Sequence, residues 1–244
     1  MAGYAHARTV KGLANRAFSK RRVVNLGAEH ENLDQKAYQI LKGMIIERQL
    51  LPGDKIAQEK LAVDLGISRT PLVNALKLLE QDKLVQSIPR RGFFVRQFDK
   101  REMISIFELR EVLEGLSARR AAENITDKQI EELKGFFKQF NGKTPIMDIR
   151  AYAKEDRLFH TFLLEVSAKE FLRSILETYN LISYSYQWDS SEGLIQSPDD
   201  TIQDHRDIID AIRCRDGEAA ENSMRRHLKK TIAILKTQLE AGEK

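Results

Sequence analysis

The sequence predicts a mainly α-helical protein: an N-terminal winged helix-turn-helix of three helices and a β-hairpin, then an all-helical antiparallel bundle of about six helices. Three observations carry the prediction. Apolar residues recur at a helical period of about 3.6 along most of the 244-residue chain. That period gives way to strand-like runs only between residues 83 and 98. Charge is divided as well: residues 33–98 hold eleven Lys/Arg against seven Asp/Glu, whereas residues 99–244 hold twenty-three against twenty-seven. A basic front on an acidic body points to a head that binds a polyanion, with plain solvated surface as the alternative.

Residues 1–32 carry six Lys/Arg against two acids, among them Ser19-Lys-Arg-Arg22, and show no sustained apolar pattern. They are expected to form a mobile basic arm that adds phosphate contacts, or a tail without a role. The first helix is predicted over 33–48, where Leu33, Ala37, Ile40, Leu41, Met44 and Ile45 keep helical spacing. Leu51-Pro-Gly-Asp54 turns the chain. A second helix covers about 57–65 and breaks at Gly66. Ser68 suits the N-cap of the third helix, and Pro71 fits its first turn. That helix runs to about 81 with Leu72, Ala75, Leu76 and Leu79 inward. Strands follow over 83–88 and 92–98, joined by Pro89-Arg-Arg-Gly92. From Asp99 onward helices are placed near 100–123, 127–140, 147–166, 169–188, 199–213 and 216–240, with Thr126 and Ser197 as starts. The expected domains are therefore 1–32 (arm), 33–98 (head) and 99–244 (body).

No apolar run reaches the ~18–20 residues of a membrane span, and the N-terminus lacks the apolar core of a secretory signal. Cys214 is the only cysteine, so no internal disulfide forms. A reducing cytoplasm is the expected location.

In the head, Gly66-Ile-Ser-Arg-Thr-Pro-Leu-Val-Asn-Ala-Leu76 carries the chemistry. A helix N-terminus binds phosphate through its free N–H groups, and the Ser68 and Thr70 hydroxyls beside Pro71 add donors. Arg69 projects from the first turn, where it can pair bidentately with guanine. Arg90 and Arg91, with Gly92 at the wing tip, can follow phosphate or enter the minor groove. The runs Leu51-Pro-Gly-Asp-Lys-Ile56, Glu59-Lys-Leu-Ala62, Leu65-Gly-Ile-Ser-Arg-Thr-Pro71, Ala75-Leu76, Leu79-Glu80 and Arg91-Gly-Phe-Phe-Val95 resemble the GntR family of bacterial transcription regulators. The family usually has Arg-Glu before the Ala-Leu pair; this chain has Val73 and Asn74. Val73 can only pack or touch a thymine methyl, so the family's usual operator is not implied. Asn74 is a candidate substitute contact.

The body holds His160, His205 and His227, each on an apolar stripe. Asp156 lies four residues before His160, on the same helical face, and Arg157 between them is expected to face another way. Ile202, Ile209 and Ile212 share the face of His205, and Met224, Thr231 and Ile234 that of His227. Asp156 and His160 alone would read as a buried hydrogen-bonded pair. Four inward polar groups cost several kcal/mol unless each finds a partner, and one divalent cation satisfies them together. Three imidazoles and a carboxylate suit zinc first, with nickel, iron and manganese as alternatives.

Asp156-x3-His160, His205 with Ile208 and Ala211-Ile212, Met224-x2-His227, and the segment Leu109–Ala122 resemble the FadR-like C-terminal ligand-binding domain, FCD. Metal-binding members use one Asp and three His, and all four are present. Acyl-CoA-responding members generally lack that set, which argues against a fatty-acyl ligand. Ser167-Ala-Lys-Glu170 departs from the family, so its contacts are not carried over. The resemblance implies an effector carboxylate at open metal positions, with Arg110 as its partner; a salt bridge of Arg110 to Glu114 is the alternative. It further implies a homodimer on double-stranded operator DNA, most simply a repressor released by a small organic acid. The competing expectations are a sensor of the metal itself, a structural metal, and a metalloenzyme. The last lacks a companion HExxH or nucleophile motif and leaves the head unexplained.

Overall fold

In the computed structural model, residues 32–140, 145–167, 170–185 and 194–242 are described. Residues 1–31 of the expected arm, the Asn141-Gly142 break between predicted helices, and both ends of the helix predicted over 169–188 (169 and 186–188) lie outside them.

The head forms as its apolar spacing dictates. Helix α1 (Leu33–Ile46) buries Ala37, Leu41 and Ile45, one face of successive turns. Leu33 and Ile40 of the expected stripe stay exposed. The helix stops two residues short of the predicted end, and Arg48 takes a left-handed φ of 61°. Helix α2 (Gln58–Asp64) ends before Gly66, whose φ of 64° suits a residue without Cβ. Helix α3 (Arg69–Gln81) packs on α1 through Leu72, Ala75, Leu76 and Leu79. Burying each of those leucines contributes about 1.5–3 kcal/mol. Strands β1 (Val85–Ile88) and β2 (Gly92–Val95) pair antiparallel, Val85 opposite Val95 and Ile88 opposite Gly92. Both are shorter than predicted, and an isolated bridge of Lys55 to Phe94 ties the α1–α2 loop to the wing.

Asp99 opens α4 (Lys100–Asn124) with a capping box completed by Glu102. Thr126 and Gln129 do the same for α5 (Asp127–Leu133). Here the prediction of a helix to 140 fails. The chain leaves α5 at Leu133 and continues in turns, with Phe137 at φ 59°. The aromatic residues that mimicked a helical stripe instead bury as a turn, Phe137 being 2% exposed. Helices α6 (Ile149–Ser167), α7 (Glu170–Ser185), α8 (Pro198–Arg213) and α9 (Gly217–Gly242) complete the bundle. Ser197 caps α8, and Pro198 takes its first position.

Helix α9 lies along α4, with α8 on α9 and α6 on α4. The approach of α4 and α9 is close: a Cβ added at Gly115 would fall 2.8 Å from Arg225 Cγ. Helix α7 touches α6 and α4 within the body and also α1 of the head. No described helix is long and apolar enough to cross a membrane.

Candidate functional site

The basic face of the head forms where α2, the start of α3 and the wing meet. Ser68 takes the N-cap position of α3 with no cap bond from its side chain, so its hydroxyl is not spent on the helix's own backbone. Ser68, Arg69 and Thr70 are exposed, and Pro71 is half-buried beside them. Arg69, Arg90, Arg91 and Gly92 line one open groove together with Lys55, Gln58 and Lys60. Gly92 is needed there for its φ of 94°. The Arg91 guanidinium lies 5.4 Å above the Phe94 ring. Lys55 and Lys60 were not singled out by sequence, because they join the groove only once the hairpin folds back beside α2. Asn74 sits one turn deeper and donates to Asp34 Oδ2 of α1 at 2.9 Å. Val73 packs against the core.

In the body, three helices bring the predicted ligands together. Helix α6 supplies Asp156 and His160, α8 His205, and α9 His227. One donor nitrogen of each histidine lies within 4.8 Å of the other two. Asp156 Oδ1 is 3.1 Å from His205 Nε2 and 3.8 Å from His160 Nε2. The histidines are 4%, 0% and 6% exposed in chain order. His205 Nε2 and His227 Nδ1 are buried without a hydrogen-bond partner among the described residues; the nearby Asp156 oxygen lacks hydrogen-bond alignment. Each such orphaned group costs about 1–3 kcal/mol. Of these two nitrogens His205 Nε2 lies beside Asp156, where a divalent cation would engage it together with the clustered nitrogens of His160 and His227, so this donor set fits a metal.

The electrostatics of Asp156 and His205 agree with ligation. His160 differs: it is opposed by burial but drawn up by Glu114 and Asp156, is held above its ordinary value, and must lose a proton to bind a metal. Burial works against ionisation of Asp156, but His205, His160 and His227 outweigh it and hold the carboxyl well below the usual range. Burial pushes His205 down to about 4, leaving the neutral ring that a metal requires.

Outer partners hold two of the three rings from behind. His160 Nδ1 meets Glu114 Oε2 at 2.6 Å, and Glu114 Oε1 accepts from Arg110 Nε at 2.6 Å. Burial opposes the Glu114 charge, yet Arg110 and His160 bring its carboxyl down to about 2. His205 Nδ1 lies 2.9 Å from the Tyr152 hydroxyl, and the Phe137 ring stacks on the His205 ring at 4.5 Å and 4°. Asp204 Oδ2 lies 3.6 Å from His227 Nδ1, beyond hydrogen-bond reach, and Lys230 grips this carboxylate at 2.7 and 2.9 Å. Tyr152 and Asp204 carry no sequence signal of their own, and Glu114 is read from sequence only as a salt-bridge partner of Arg110, a pair the structure contains.

A cavity of about 50 Å³ opens beside Asp156, His160 and His227. A water needs ~10–15 Å³ on this measure, so a few water-sized groups fit. Arg110 borders this cavity as well as pairing with Glu114. Arg157, expected from its place between the two α6 ligands to face elsewhere, also borders it. At about 100° per residue it sits only about 60° around the helix from His160.

Residues 33–95 match the bacterial regulatory proteins of the gntR family, and residues 105–230 match the FCD domain. The HTH-type transcriptional repressor RspR of Escherichia coli (strain K12) is 26% identical over 200 residues, 80% of this chain and 86% of its own. A protein of Paenarthrobacter nicotinovorans named "Probable D-xylose utilization operon transcriptional repressor" is 28% identical over 185 residues, 75% of this chain and 80% of its own. In fold the chain is similar to E. coli McbR/YncC, with a TM-score of 0.69 at 22% identity over 86% of this chain and 100% of that one. The chain is a DNA-binding transcription regulator, not an enzyme, and belongs to the GntR family with a C-terminal FCD domain.

Proposed function

We propose that this regulator is a dimeric repressor whose grip on operator DNA is set by a small carboxylate bound at a metal centre in its helical body. One observation carries the reading: three buried histidine nitrogens converge within 4.8 Å beside a cavity bordered by Arg110 and Arg157. Asp156, His160, His205 and His227 would hold the metal, zinc first and nickel, iron or manganese otherwise. The metal would supply open positions for a carboxylate oxygen. Arg110 and Arg157 would neutralise the acid's charge, and the small cavity favours a short acid over an acyl chain. Relatives named as repressors support the sign of control.

In this reading residues 33–98 form the head, residues 99–244 the body and dimer, and the arm over 1–32 an auxiliary contact. The capping box at Asp99 supports that division. Arg69 reads bases from the first turn of α3. Ser68, Thr70 and Pro71 seat that turn on phosphate, and Arg90, Arg91, Gly92, Lys55 and Lys60 extend the basic groove. Asn74 braces α3 on α1 rather than reading DNA, since its amide donates to Asp34. Effector binding would reach the head through α7, which touches both α6 and α1. A shift between two bundle arrangements would then alter half-site spacing.

Elemental analysis of protein purified without chelator should find about one transition metal per chain, a stoichiometry that follows from a single four-ligand site. Gel shifts on DNA upstream of its own gene should weaken with a short organic acid. A metal content of zero would sink the centre. Release by added metal but by no acid would make the metal the signal.

Glu114 offers a sharper check. Its two carboxylate oxygens accept from two donors, Arg110 and the Nδ1–H that His160 must carry when Nε2 binds metal. Glutamine has one acceptor oxygen. Glu114→Gln should therefore lower metal affinity about 10- to 100-fold in a chelator competition. Unchanged affinity would mean that Glu114 does not orient His160.

A further inference from the structure

Behind His205 lies a buried chain of hydroxyls that ends on backbone carbonyls at the start of α8. Tyr152 is 0% exposed and Thr201 6%. The Tyr152 hydroxyl lies 2.9 Å from His205 Nδ1 and 2.7 Å from Thr201 Oγ1. Thr201 Oγ1 in turn donates to the carbonyl of Ser197 at 3.2 Å or of Pro198 at 3.3 Å. Either hydroxyl can donate in the Tyr152–Thr201 contact; a carbonyl only accepts, so the chain that uses the Thr201 contact to the first turn of α8 places the Thr201 proton there. Thr201 then accepts from Tyr152. The Tyr152 oxygen is left to accept from His205, which places the imidazole proton on Nδ1.

A neutral imidazole carries one N–H and one lone pair. With the proton on Nδ1, the lone pair is on Nε2, the nitrogen that faces Asp156 and has no hydrogen-bond partner of its own. We propose that Thr201, acting through Tyr152, is a positioning residue that sets the His205 tautomer able to bind a cation. This rests on the metal reading above, yet it assigns a separate task to residues that do not touch the ion. Without the Thr201 hydroxyl, Tyr152 loses its acceptor and turns its proton onto Nδ1. The imidazole proton then moves to Nε2, beside Asp156, and the ligating lone pair is lost.

The test uses the full-length protein and zinc. Thr201→Val keeps the side chain's shape and should weaken zinc binding about 10- to 100-fold in a chelator competition, the range for outer-sphere losses. Thr201→Ser restores the hydroxyl and should bind as the wild type does. Tyr152→Phe should match Thr201→Val, and guards against a Thr201→Val chain that fails to fold. Wild-type affinity in both Thr201→Val and Tyr152→Phe, with His205→Ala unable to bind, would overturn the relay and leave the metal centre standing. Nitrogen-15 shifts of the histidine rings in metal-free protein separate the two ideas. The relay requires Thr201→Val to move His205 toward the Nε2–H form. If the wild type takes no zinc, the metal reading fails and these shifts alone decide. No change between wild type and Thr201→Val would end the proposal.

Discussion

If the proposed centre holds zinc, alanine at His205 should abolish the stability that zinc confers. The ring is wholly buried, stacked on Phe137, and supplies one of the three clustered nitrogens. Zinc at 100 times its Kd should stabilise chelator-stripped wild type by about 2.7 kcal/mol. At about 2–4 °C per kcal/mol for a chain of this size, Tm should rise about 5–11 °C. His205→Ala should show no rise. Because the comparison is made with and without zinc in each variant, any general destabilisation from deleting the ring cancels. A zinc-induced rise in His205→Ala equal to that of the wild type would place the metal elsewhere. The response of DNA binding to organic acids should vanish in the same variant.

Alanine at Arg69 produces the largest expected change in the head. Its exposed side chain leaves the first turn of α3 and shares a groove with Arg90 and Arg91. Losing a bidentate arginine–guanine contact should cost about 1–3 kcal/mol of operator affinity and relax preference at one base position. Binding to unrelated DNA should change far less. Lys60→Ala offers the contrast: it should weaken all sequences alike and reduce the salt slope by about 1. Anisotropy titrations on operator and scrambled duplexes at several salt concentrations separate the two outcomes. If Arg69→Ala keeps the wild-type operator preference, bases are read from another element.

The helices were legible because burial imposes a period on the sequence. The ends of α4 were legible too, since Asp99 and Ile125 bracket a continuous stripe. The end of α5 was not. Phe136, Phe137 and Phe140 fit the helical period, but Phe137 takes a left-handed turn, and its N–H donates to Glu155 of α6 at 2.8 Å. That partner is eighteen residues away, and local spacing carries no trace of it. The same limit divides the candidate site. Asp156 and His160 announced themselves as an i, i+4 pair, and His205 and His227 as polar residues on apolar stripes. Glu114 looked like an ordinary helix-surface acid able to pair with Arg110. Its second bond, to His160, spans 46 residues. Arg157 was misplaced for a different reason: a helical face is broad, and a residue beside a ligand can still border the same cavity.

The apolar core runs without a break from Ala37 of α1 through Phe98 and Met103 to Leu235 of α9. Modularity in this protein is therefore only partial. A cut after residue 98 would leave Phe98, 7% exposed in the intact chain, at a bare terminus, and would strip α1 of its α7 neighbour. Exchanging heads between relatives would have to carry the α1-facing side of α7 along with residues 33–98. Substitutions on those two surfaces should depend on each other, as residues in contact do. In evolutionary terms, the two parts of the chain are tied by one strip of helix and cannot drift independently there.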